Sequence, residues 1–89
     1  MAVDELHKAK AAVAQLVTCL VQTLDEGDPT FKDRFVKRLE AAYHEARDNG
    51  EGDQRHTFEM FNWTRELLTG FSLADGPGKP YLSSYDPHG

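Results

Sequence analysis

The chain has 89 residues, 39% of them hydrophobic and 28% charged, a net charge of -5 and a single cysteine, Cys19. These figures leave room for one small folded domain with a modest core, and they exclude a disulfide framework or an all-cysteine metal site within one chain. The 15 acidic and 10 basic residues are interspersed rather than sorted into a stripe, which argues against a nucleic-acid partner and against docking on an anionic membrane.

The N-terminus, Met1-Ala2-Val3-Asp4-Glu5, shows no basic region ahead of an apolar run. The stretch from Ala11 to Val21 is broken by Gln15 and Thr18 and is too short to cross a bilayer. A cytoplasmic location with no membrane partner is the expectation.

The first predicted element is a helix over about 3–25. Leu6, Ala9, Val13, Leu16, Val17, Leu20 and Leu24 recur at steps of three and four, and together with Val21 they fall within an arc of roughly 140°. Asp4 and Glu5 suit its positive end. Gly27 is expected to end it in the left-handed conformation. Asp28 is read as the next cap, and Pro29 as the first position of a second helix over 29–48. The apolar side of that helix is Phe31, Phe35, Val36, Leu39, Ala42, Tyr43 and Ala46, and Asn49-Gly50 marks its end. The short connection predicts that the two helices pack antiparallel.

Residues 48–53 read as a polar loop in which Asp53 caps a third helix over 54–69, closed by Gly70. Here the apolar surface looks wider than one neighbour requires. Thr57, Met60, Phe61, Thr64, Leu67 and Leu68 group together, while Trp63 lies at one border and Phe58 roughly 120° from the centre. Beyond Gly70, the residues Gly76, Pro77, Gly78, Pro80 and Pro87 exclude a continuous helix. Phe71, Leu73, Tyr81, Leu82 and Tyr85 make that tail more adhesive than an ordinary linker. The fold class read from these patterns is all-α: a three-helix domain, residues 1–70, followed by an irregular Pro/Gly-rich aromatic tail, residues 71–89, with assembly as a helical homodimer expected.

Asp48 and Glu59 stand at the first and twelfth positions of a calcium loop, but Gly50, Gly52 and Asp53 occupy positions where such a loop needs two oxygen ligands and then a glycine. Glu40, His44 and Asp48 share a helix face without the Glu-x-x-His spacing of di-iron bundles. His56 and Glu59 read as a solvated face, and His7 and His88 look isolated. Cys19 flanks the first apolar face with no Cys-His signature beside it. Neither Gly50-Glu51-Gly52 nor Gly76-Pro77-Gly78 has the lysine and the strand-helix context of a phosphate loop. No catalytic residue, cofactor or metal is therefore expected.

What remains is surplus apolar surface. The expected function is a non-enzymatic protein–protein interaction or regulatory module, with a homodimer or another protein as partner and Phe58, Trp63, Phe71, Tyr81 and Tyr85 as the contact residues. The alternative is a small-ligand or metal-binding protein with a pocket between helices lined by Tyr43, His44, His56 or Trp63.

Overall fold

A computed structural model of the chain describes residues 3–72 and 76–86; Met1, Ala2, Leu73, Pro87 and His88, named above, lie outside them. The architecture is all-α: α1 spans Val3–Gly27, α2 Phe31–Asn49 and α3 Arg55–Thr69. A two-residue strand, β1 (Phe71–Ser72), then pairs antiparallel with β2 (Gly76–Pro77), with Phe71 opposite Pro77. The expected helices are present within two residues at each boundary.

The joints differ in detail from the sequence reading. Gly27 does not take a left-handed conformation: the positive-φ glycines are Gly52, Gly70 and Gly76. Instead α1 runs on through Gly27, and the Asp28 amide still reaches the Leu24 carbonyl at 3.2 Å. Pro29 lies in a turn ahead of α2 rather than at its first position. The cause is the Asp28 carboxylate, whose Oδ1 accepts from the Thr30 amide (3.1 Å) and the Thr30 hydroxyl (2.7 Å) and so closes a local turn. These bonds, with help from Arg34, hold the Asp28 carboxyl below its ordinary range. The free amide of Lys32 in the first turn of α2 is taken by Asp25 of α1 at 2.9 Å, so the end of one helix caps the start of the next.

At the head of α3 the cap position falls to Gln54, one residue later than expected and without a side-chain cap bond; Asp53 instead closes a turn just ahead of it, its Oδ1 accepting the Arg55 amide at 3.0 Å. The Arg55 side chain folds onto the same carboxylate and holds its pKa down to about 2. At the other end Gly70 adopts φ 78°, and its amide reaches the Glu66 carbonyl. The chain therefore reverses and returns along the bundle. The Tyr81 amide donates to the Leu67 carbonyl at 2.7 Å, and Gln22 Nε2 of α1 donates to the Tyr81 carbonyl at 2.6 Å. This part of the tail is folded back, not free.

The tightest packing is between α1 and α3. Ala14, Thr18 and Val21 of α1 and Thr64 and Leu68 of α3 are buried, whereas no residue of α2 is. The two threonines can be buried because each hydroxyl satisfies itself within its own helix. Thr18 donates to the Ala14 carbonyl at 2.7 Å and Thr64 to the Met60 carbonyl at 2.9 Å. Among the described residues no buried side-chain nitrogen or oxygen lacks a hydrogen-bond partner, and the small side chains let the two helices approach closely.

Candidate interaction surface

The line that α1 presents to the core is Lys10, Ala14, Thr18 and Val21. Set at 100° per residue, that line is centred almost a quarter-turn from the middle of the helix's own apolar arc. The rotation leaves much of the arc in water. Leu6 is 37% exposed, Val13 44%, Leu16 69%, Leu20 60% and Leu24 45%. These five side chains occupy about 80° of the helix circumference and a length of about 27 Å. The sequence reading expected each helix to bury its own stripe. That expectation fails for α1, because Ala14 and Thr18 offer α3 a closer approach than leucines would.

Two other sides of α1 have neighbours. On one side Val13 and Val17 border a groove of about 330 Å³ whose far walls are Phe35 and Leu39 of α2 and Met60 and Phe61 of α3. On the opposite side Ala11, Ala14 and Gln15 face Trp63, Leu67 and Tyr81 across a groove of about 300 Å³. The returning tail therefore covers the side of α1 away from the leucine stripe.

The expected surplus on α3 is taken up within the chain. Phe58 is half-buried, with its ring 4.9 Å from that of Tyr43 on α2. Trp63 is half-buried on α1's side, with its ring 5.0 Å from the His7 imidazole in an edge-on arrangement and 5.7 Å from Lys10 Nζ. Trp63 and Tyr81 share one groove, whereas Phe58 lies about 140° away around α3. Phe71 and Tyr85 remain exposed, at 42% and 64%. The five aromatics therefore do not form a single face. Periodicity assigned Leu6, Val13, Leu16, Leu20 and Leu24 to the core, so it could not flag them as exposed.

Two polar features lie beside this surface. Lys10 is buried, with its ammonium 2.7 Å from His56 Nδ1 and 3.2 Å from Glu59 Oε1. The ammonium donates, so the imidazole keeps its own N–H on Nε2. This group anchors the open end of α1 to α3, and its aliphatic stem fills the contact. We expect Lys10→Met to fold with stability within about 1 kcal/mol of the native chain, since an apolar isostere removes both the charge and its desolvation. Glu59→Ala, which strands the ammonium beside the half-open carboxylate position, should cost about 1–2 kcal/mol in urea unfolding. Equal losses for both would make Lys10 more than an anchor.

The second feature is a cleft of about 390 Å³ between α2 and α3, where Tyr43 and His44 face Phe61 and Arg65, with Arg65 3.9 Å from Glu40. It brings together two of the four residues expected of a ligand pocket; His56 and Trp63 are instead engaged around Lys10. Among the described residues no three His, Cys, Asp or Glu side chains gather as a metal-holding group. No helix among them is long and apolar enough to cross a membrane. Comparison with protein families, with curated proteins and with solved structures finds no significant match to this chain.

Proposed function

We propose that the chain is a small, non-enzymatic, cytoplasmic helical module for protein–protein interaction, that its contact surface is the leucine stripe of α1, and that the partner is a second copy or another protein. The observation that carries the reading is the exposure of five large aliphatic side chains in line along one helix. A continuous apolar strip of this kind is unfavourable in water and marks a surface that another molecule covers. Phe71 and Tyr85 of the tail are further exposed aromatics available to a partner.

Thiol labelling tests the reading. With Leu16→Cys in a Cys19→Ser background, a maleimide should modify position 16 at the rate of an exposed thiol once the chain is diluted to single molecules. Protection at every dilution, with the helices intact by circular dichroism, would mean that the chain covers its own stripe, and the proposal would be lost.

The α2–α3 cleft favours a second reading, a small-ligand or metal-binding protein, through the pairing of Tyr43 and His44 with Arg65 and Glu40. Native mass spectrometry of untagged protein separates the two. Added mass below that of one chain supports the ligand, and a whole multiple of the chain mass supports association.

A further inference from the structure

We infer that the molecule covering the α1 stripe is a second copy of this chain, packed α1 against α1 across a two-fold axis; the inference rests on the interaction-module reading and names its partner. The first argument is area. A folded monomer of 10.0 kDa exposes about 5,200 Å², whereas this chain exposes 6605 Å². The excess of about 1,400 Å² belongs to the whole chain, tail included, and leaves room for the roughly 800 Å² that each partner hides in a standard interface. The radius of gyration tells the same story, at 14.1 Å against about 12 Å for a compact chain of this length. Among the described residues one copy buries only Ala14, Val21 and Leu68 as apolar core, and nothing from α2. That is the anatomy of a domain whose core is shared.

The second argument is self-complementarity. Leu6, Val13 and Leu20 recur at intervals of seven, with Ala9 and Leu16 three residues after the first two. Two repeats of this spacing, ending at Thr23, suit a short seam in which each copy supplies both knobs and holes, with Leu24 at its edge. Leu16, the most exposed of the stripe, lies next to its midpoint, where a two-fold partner of the same sequence presents its own most exposed leucine. The apolar groove bordered by Val13, Val17, Phe35 and Leu39 opens beside the seam, so α2 contributes the flanks of a four-helix contact.

The third argument is charge. No charged side chain interrupts the seam, and the acids Asp4, Glu5, Asp25 and Glu26 are confined to the two ends of α1. Two chains of net charge -5 repel at long range, and salt screens that repulsion. Association of two copies therefore strengthens as salt rises, whereas a basic foreign partner would be released by it.

Sedimentation equilibrium of the full chain with two complementary variants decides the matter. The native chain should run at twice the chain mass at micromolar to millimolar concentrations. Leu16→Lys with Leu20→Lys, and separately Leu16→Glu with Leu20→Glu, should each raise the dimer Kd at least about 100-fold, and mixing the two variants should restore most of the association. Leu16→Ala with Leu20→Ala, which keeps helix propensity high and so keeps the fold, should also weaken the dimer at least about 100-fold. A native dimer indifferent to all three pairs would overturn the inference. A native chain of single mass whose position 16 labels freely would overturn the second copy while leaving an interaction module with a foreign partner. A single-mass chain whose position 16 is protected would overturn both.

Discussion

Leu68→Ala should cost the fold about 3–5 kcal/mol, the largest loss expected from any aliphatic truncation in this chain. Leu68 has no exposed surface, and the only other buried aliphatics among the described residues are Ala14 and Val21. Its removal leaves a buried cavity, and Thr64, one turn away on the same face of α3, is too short to fill it. An 89-residue domain has about 4–13 kcal/mol of stability to lose. Thermal unfolding followed by circular dichroism should show a midpoint lowered by about 15 °C or more. That loss should be the same at every protein concentration, because Leu68 is interior to one chain. The effect of Leu16→Ala, in contrast, should depend on concentration. A Leu68→Ala protein that melts within a few degrees of the native one would mean that the α1–α3 contact is not the core.

Gly70→Ala should act on a different part of the molecule. Gly70 holds φ 78°, and a Cβ there would lie 2.7 Å from the Gly78 carbonyl oxygen and the Lys79 carbonyl carbon and 2.8 Å from the Pro80 nitrogen. All three are backbone atoms that cannot rotate aside. A left-handed alanine costs about 1–2 kcal/mol, and forcing the extra methyl against the returning chain adds about 1–3 kcal/mol. The cheaper escape is for the tail to leave. Residues 76–86 should then exchange their amides faster, the Tyr81 amide above all, while α1 and α3 keep their protection. Gly76→Ala is the control: φ there is 76°, but nothing lies within 4 Å of the added carbon. It should cost only about 1–2 kcal/mol, with the Tyr81 bond retained. Unchanged exchange at Tyr81 in Gly70→Ala would show that the return of the chain does not depend on that close approach.

Both variants bear on the association proposal. The tail covers the side of α1 marked by Ala11 and Gln15, away from the stripe, so detaching it in Gly70→Ala should leave the dimer mass intact. Loss of association in that variant would place the tail aromatics, Tyr81 and Tyr85, in the contact as the sequence suggested.

The sequence alone was enough for the helices themselves. Apolar spacing and Gly70 at a helix end are local signals, written over a few neighbouring residues, and the backbone obeys them; Asp53 lies one residue ahead of the cap position of α3. Gly27 and Pro29 were misread for a reason equally local. A carboxylate at Asp28 that bonds to Thr30, and one at Asp25 that reaches Lys32, build a joint that residue preferences do not distinguish from a simple stop and start. Which side of α1 faces inward was settled only by tertiary structure. A hydropathy pattern ranks faces by how much they dislike water, and on that ranking the leucines belong inside. Packing ranks faces by how closely a second helix can approach, and Ala14 and Thr18 win there. The polarity of Thr18 is cancelled by its own backbone, and Lys10 is held by His56 and Glu59, residues far away along the chain. Neither compensation is visible until α1 and α3 lie side by side, and the leucine stripe is left open as a result.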